Sequence, residues 1–282
     1  MLAQEAALNP RILTVIAPLT FLMLSCSSGP EPPAKGTPAF YWSAAKESYN
    51  SGDYLKTVDH LAKVAGTENE FRTQAVPWRL VLVGGMSKGY ADLADQYEYG
   101  ARSNKSNPAP FRKQTSALRS DASRLALDFA ETLAAFQKIQ ATGDVNITFP
   151  YPPLGSAKEV ISRASAGILP EQAEADAVRA QYIQRDVLLA ACRALGNGAD
   201  AGKTKEMLSK GLVTVPRDTF LRAMAESMYE QSTIFGHTKL DMPDREKLFK
   251  ERALAALDGL PDSKELKDLR AKIQANDKKK KS

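Results

Sequence analysis

An all-α fold of antiparallel helical hairpins is what this sequence predicts, on three observations. Aromatic residues are 7% of the chain against 43% hydrophobic residues in all, and the balance is heavy in Ala and Leu, which favours helix over sheet. Apolar residues recur at spacings of three and four over long stretches, as one buried helical face requires. Proline falls at or near the expected helix starts, at Pro170, Pro216, Pro243 and Pro261, and glycine near the ends, at Gly167, Gly196, Gly211 and Gly259. That asymmetry follows from the missing proline N–H and the left-handed turn that ends many helices.

Taken in order, residues 39–50 and 53–65 read as a helix–turn–helix broken at Asn50-Ser51-Gly52. A short helical piece is expected at 68–76, after which Pro77 opens a new helix, where its missing N–H costs nothing. Residues 77–101 carry Val83, Met86, Tyr90, Leu93 and Tyr97 as one apolar stripe. A polar break over Ser103–Pro110 precedes a second long helix, at 111–141, with Leu118, Ala122, Leu125, Phe129, Leu133 and Phe136 on one face. The two helices should pack antiparallel. Gly84 and Gly85 lie inside the first, where glycine costs about 1 kcal/mol relative to alanine, so a close helix approach is expected there.

Residues 142–155 hold three prolines, Phe149 and Tyr151. They read as an extended loop or brief strand at the boundary between two halves. Helices follow at about 156–166, 170–195, 203–210, 216–235, 244–258 and 262–275. Asp262 with Glu265 reads as an N-cap and its capping-box acid.

The N-terminal segment has its own pattern. From Ile12 to Leu24 every residue is apolar except Thr14, Pro18 and Thr20. Such a run is short of the roughly 20 residues that a membrane span needs, and fits the apolar core of a secretory signal. Next comes Leu22-Met23-Leu24-Ser25-Cys26, then the Pro-, Gly- and Ser-rich stretch 27–39. A stretch of that composition cannot bury a core and serves as a tether. Ser25-Cys26 at the end of an apolar run resembles the lipobox of bacterial lipoproteins, with Met23 where Leu is usual. The resemblance implies cleavage before Cys26 and acylation of its thiol and freed amine. Each buried methylene adds about 0.8 kcal/mol of membrane affinity, so several chains hold firmly. It also implies a cell-envelope location, and the outer membrane facing the periplasm if the host has two membranes, since Ser27 is not the Asp of inner-membrane retention.

The segment Tyr41-Trp42-Ser43-Ala44-Ala45-Lys46-Glu47-Ser48-Tyr49-Asn50-Ser51-Gly52-Asp53-Tyr54 resembles a tetratricopeptide repeat. Tyr41 or Trp42, Ala45, Tyr49, Gly52, Asp53 and Tyr54 take the places of that family's aromatic, small and turn residues. Thr57 stands where Ala is usual, and Asn69 near the place of the closing Pro. A fainter echo, with Ala253, Ala256 and Pro261, covers 219–262. The resemblance implies a tetratricopeptide-like or irregular α-solenoid that binds protein, with Tyr49, Gly52, Asp53 and Tyr54 as candidate repeat-turn residues.

The expected organisation is a signal at 1–25, a lipidated Cys26 and disordered tether over 26–38, and N-terminal hairpins over 39–141, divided into 39–66 and 77–141. The connector 142–155 follows, then a C-terminal helical region over 156–276 and a basic tail over 277–282.

The residues offer little chemistry. His60 and His237 sit in no ligand spacing, and no Cys-x-x-Cys occurs, so no metal or cofactor is expected. Gly198-Ala199-Asp200-Ala201-Gly202-Lys203-Thr204 is one residue short of a phosphate loop and has no strand before it; it reads as a helix–helix linker. Cys192, in an apolar run, reads as a buried small hydrophobe. The net charge of +5 owes much to Lys278–Lys281, a tail suited to acidic headgroups or a charged wall polymer. Nucleic acid is not an expected partner of an exported protein. Phe149 and Tyr151 are candidates for a partner-binding loop, or for a seal between the two halves.

The leading expectation is a lipid-anchored envelope scaffold or adaptor, not an enzyme, that binds another envelope protein or peptide. The alternatives are a peptidoglycan-directed hydrolase or a factor assisting one, and a solute-binding lipoprotein. The last class is disfavoured by the lack of alternating strands.

Overall fold

The computed structural model describes residues 32–152 and 163–278. Cys26, the signal, the tether up to residue 31, and Lys279–Lys281 of the basic tail lie outside the described residues. The fold is all-α, as the composition and periodicity predict. Nine helices, α1 (Pro38–Asn50), α2 (Tyr54–Ala65), α3 (Arg72–Ser103), α4 (Ala109–Ile139), α5 (Gln172–Ala194), α6 (Ala201–Ser209), α7 (Arg217–Ser232), α8 (Pro243–Ala256) and α9 (Lys264–Lys278), account for most of the described residues. From Ala34 onward they cluster as one compact unit.

α3 is the axis. Every residue from Leu80 to Ser87 is buried, so this helix is apolar all round at its middle instead of carrying the single stripe expected from its spacing. α4 packs antiparallel along one side: the site of a Cβ on Gly84 faces the Phe129 ring, Ser87 Oγ donates to the Ala122 carbonyl at 2.9 Å, and Tyr97 meets Phe111 at 6.5 Å between centroids. α5 runs antiparallel along another side, with Gly85 against Asp186 and Val187 and Gly89 against Tyr182 and Ile183. The close approach expected at Gly84-Gly85 is thus made mainly with α5, where Gly85 meets bare backbone.

The start of α3 corrects the sequence reading. There is no separate helix over 68–76 opened anew by Pro77. The helix begins at Arg72 and runs through Pro77. Asn69 makes this start possible: its Oδ1 accepts from Phe71 N at 2.9 Å, and its Nδ2 donates to Val64 O at 2.7 Å, at the end of α2. Pro77 removes the bond that would close on the Thr73 carbonyl, and Thr73 is exposed.

The 142–155 segment holds a strand, β1 (Val145–Ile147). It pairs antiparallel with β2 (Val213–Val215), Val145 opposite Val215 and Ile147 opposite Val213. The valines and Ile147 face the core, and Asn146 and Thr214 face out, joined at 3.1 Å. β2 was not foreseen, because three alternating residues are too few to distinguish from a linker. The helix expected at 156–166 lies mostly outside the described residues; its end, Ala164–Ala166, is a single 3-10 turn.

In the C-terminal region, the helix expected over 216–235 stops at Ser232, and Thr233–Phe235 tighten into a 3-10 turn. α7 and α8 form a second hairpin, sealed where Phe235 meets Phe249 at 4.9 Å between centroids. Ala253 and Ala256, the residues of the fainter repeat echo, are buried there. The cap of α9 is Ser263, whose Oγ accepts from Leu266 N at 3.1 Å, and not Asp262, which pairs with Lys267.

Candidate functional site

The α1–α2 hairpin carries the repeat-like residues and shows why that pattern folds as it does. Gly52 sits at φ +80° with open space around it, a backbone state that side chains resist. Asp53 caps α2 by accepting from Lys56 N at 3.3 Å. The Lys56 side chain above all, and then that backbone bond, pull its carboxyl below the usual carboxylate value. Ser48 Oγ and Thr57 Oγ1 lie 3.0 Å apart and cross-link the two helices, so Thr57 fills the small-residue position with a polar contact. Tyr49 and Tyr54 are buried and meet at 5.3 Å between centroids. Burial pushes the Tyr54 phenol up to about 12. The turn residues therefore build the hairpin, and their rings face inward.

Trp42 lies on the same inward side. It stacks on Phe71 at 5.6 Å and meets Trp78 edge-on at 5.4 Å, which docks the hairpin on the first turns of α3. The opposite, half-buried side is built from Tyr41, His60 and Lys63. The Tyr41 ring lies 6.0 Å from His60 in a stacked pose, and Lys63 Nζ sits 4.5 Å from the Tyr41 centroid. Phe40 meets Tyr41 edge-on at 5.4 Å. His60 Nδ1 is buried with no hydrogen-bond partner among the described residues. Tyr41 from α1 and His60 and Lys63 from α2 thus place two rings and a cation side by side on the hairpin, a mixed surface suited to a peptide or protein partner. Sequence reasoning set His60 aside because it lacked a metal spacing. Its placement one turn before Lys63 was the signal available.

Phe149 and Tyr151 separate. Phe149 is 1% exposed and stacks on Trp78 at 6.2 Å, and Thr148 Oγ1 reaches Gln74 Oε1 at 3.1 Å. The Phe149 ring is thus part of the core, and Tyr151 is the half-buried ring of this loop, with Lys205 Nζ 5.8 Å from its centroid.

A small crevice lies where α3, α5 and α7 meet, lined by apolar residues such as Leu80 and Met224 and bordered by Lys88, Asp186, Arg193 and Glu230. Asp186 is 3% exposed and bonds Arg185 at 2.7 Å. Arg185 also holds Asp92 at 2.6 Å, and Lys88 holds Asp92 at 2.8 Å. Burial pushes the Asp186 carboxyl up, more than Arg185 pulls it down. Such a shift is a feature of catalytic acids. The crevice, however, has a volume of about 20 Å³, roughly one water, and no glycan ring enters it. The ions there join helices: Arg193 holds Glu230 at 2.8 Å across α5 and α7.

Cys192 is buried, and burial pushes its thiol up, which suits an inert core residue. Only Gly198–Asp200 of the Gly198–Thr204 segment is linker: Asp200 caps α6 by accepting from Lys203 N at 2.9 Å, and Ala201–Thr204 form the helix's first turn. His237 is exposed beside Asp241 at 2.9 Å. Among the described residues no group of His, Cys, Asp and Glu has the arrangement of a metal site, and no helix is long and apolar enough to cross a membrane. Comparison with protein-family models, with curated proteins and with solved structures finds no match.

Proposed function

We propose that this chain is a lipid-anchored cell-envelope protein that acts as a scaffold or adaptor, presenting the outer face of its α1–α2 hairpin to another envelope protein or peptide. The observation that carries the reading is the Tyr41–His60–Lys63 cluster on a hairpin whose turn residues are wholly spent on structure. Aromatic side chains are enriched at protein interfaces, and the Lys63 ammonium over the Tyr41 ring adds a charge that a partner's carboxylate can meet. The anchor rests on the sequence around Cys26, and the outer membrane is the proposed location in a two-membrane host.

Two experiments test the reading. Cys26→Ser should move the full-length protein out of the membrane fraction; a variant that stays bound and unprocessed rejects the anchor. A photo-crosslinking residue in place of Lys63 should trap one stable envelope partner, while the same residue in place of exposed Lys210 should not. Equal trapping at both positions rejects the face, and wall-digesting activity of the purified protein rejects the adaptor in favour of a hydrolase.

A further inference from the structure

The loop end of the α3–α4 hairpin holds a second feature, independent of the α1–α2 face. A cleft of about 670 Å³ lies between the last turns of α3 and the first turns of α4, within the size range of small-molecule sites. Glu98, Arg102 and Lys105 line it from α3 and the following loop, and Arg112, Thr115 and Arg119 from α4. Their spacings of three and four bring one face of each helix to the cleft. Four cations and one carboxylate therefore share a single concavity.

The lone carboxylate is already spent. Glu98 is held by both Arg102 and Arg119. Burial pushes its carboxyl up, but the two guanidiniums more than offset this, and the net shift is down. Arg119 also reaches Asp95 at 3.7 Å, which Lys239 holds at 2.9 Å. Lys105 and Arg112 have no ion-pair partner among the described residues, and both are exposed to the cleft's solvent. Arg119 Nε is buried with no acceptor. α4 begins here with no side-chain cap and no acidic residue in its first turn, so the positive end of a 31-residue helix adds to the field without being neutralised.

The surroundings point to one kind of anion. Tyr99 on α3 is 53% exposed, and Arg102 lies 5.8 Å from its ring centroid. Asn104 Nδ2 donates to the Gly167 carbonyl at 3.1 Å, which brings the exposed pair Ile168 and Leu169 to the same end of the hairpin. Exposed apolar side chains beside unpaired cations suit the boundary between headgroups and acyl chains.

We propose that this cleft binds a phosphate-bearing anion, held by Lys105 and Arg112 with Arg119 behind them. A phospholipid headgroup is the favoured source and a soluble phosphate the other. Guanidinium and ammonium donors in one concavity match the several acceptor oxygens of a phosphate.

The test is calorimetric, on the full-length chain in non-ionic detergent, titrated separately with pyrophosphate and with a short-chain phosphatidylglycerol. Lys105→Gln combined with Arg112→Gln removes two exposed cations that support no ion pair, so the fold should be unchanged. Binding should weaken by about tenfold or more, since each charge-assisted contact is worth at least that factor. Lys113→Gln, one position away on α4 and outside the cleft, should leave it unchanged. Dependence on Lys105 and Arg112 with the lipid alone assigns a headgroup, and with pyrophosphate alone a soluble phosphate. Dependence with both assigns recognition of the phosphate itself. Failure of both probes to bind the unaltered protein, or equal binding by the double variant, overturns the proposal.

Discussion

A Cβ built on Gly85 would come within 2.5 Å of the Val187 Cα, so α3 and α5 touch backbone to backbone at this crossing. Neither helix can yield, because Gly85 lies in the stretch of α3 that is buried on all sides and Val187 is itself 1% exposed. The contact fixes the depth at which α5 lies on the axis. It also sets the height of Lys88 relative to Arg185 and Asp186.

Gly85→Ala should therefore destabilise the protein, although alanine is the better helix former. The overpacking cost is typically about 1–3 kcal/mol, against a propensity gain of up to about 1 kcal/mol. A net loss is expected because the obstacle is main chain. Gly202→Ala is the control. It lies in α6, where the new methyl meets only Asp200 Oδ1 at 3.4 Å, and it should be neutral or stabilising. Urea denaturation of both variants distinguishes them, and an equal or higher midpoint for Gly85→Ala would reject the crossing.

How far the sequence could be read follows from the length of each signal. Leu118 to Phe136 keep one face over five turns of α4, and all six stripe residues are buried. The turn at Gly52-Asp53 was legible because the left-handed glycine and the capping carboxylate are local requirements. β2 was not, because Val213-Thr214-Val215 owes its conformation to a partner 68 residues away. The full burial of α3 was hidden for a similar reason. A stripe shows one buried side, and the second arises only when α5 supplies a matching surface to Gly85 and Gly89. Pro77 misled because its usual place is a helix start, and here the side chain of Asn69 had already made one. The cationic cleft read as a polar break, since Arg102, Lys105, Arg112 and Arg119 converge only once the hairpin closes.

The hairpin turn gives a second prediction. Gly52→Ala introduces no clash, so its whole effect is the left-handed backbone, about 1–2 kcal/mol. Gly52→Asn should lose less, because asparagine tolerates that region better. Asp53→Ala removes the α2 cap and should cost about 0.5–2 kcal/mol. Thermal or urea unfolding ranks the three. A Gly52→Ala variant as stable as the parent would mean that the turn is free to adopt another shape.

Asp186 makes stability depend on pH in a direction opposite to Asp53 and Glu98. Its native pKa is raised above 3.8, so the folded protein takes up this proton more readily than the unfolded chain. The stability it contributes is complete below pH 3.8 and is lost as pH rises through the raised native value. Asp53 and Glu98, held low by their cations, lose stability as pH falls. The groups around Asp186 are Arg185 on its own helix, and Lys88 and Asp92 on α3. Asp186→Asn cannot ionise, so the stability of the variant minus that of the parent should climb with pH across the window above 3.8, then level off. Urea denaturation at a series of pH values measures this, and a difference that declines with rising pH would reverse the assigned sign.

Phe149 and Tyr151, two positions apart on one loop, should behave as residues of different kinds. Phe149 stacks on Trp78 inside the core, and truncating a buried phenylalanine costs about 3–5 kcal/mol. Tyr151 is only half-buried, and its removal should cost about 1 kcal/mol or less. The protein has two tryptophans, Trp42 and Trp78, and they touch each other at 5.4 Å. Intrinsic fluorescence thus reports on the packing around Phe149. Phe149→Ala should shift the native emission and lower the unfolding midpoint strongly, and Tyr151→Ala should leave the emission unchanged and lower the midpoint far less. Any partner that docks on this loop therefore does so through Tyr151, and its loss in Tyr151→Ala would occur with the core intact. Equal destabilisation by the two substitutions would show instead that the loop is core throughout, leaving the α1–α2 face as the proposed partner surface.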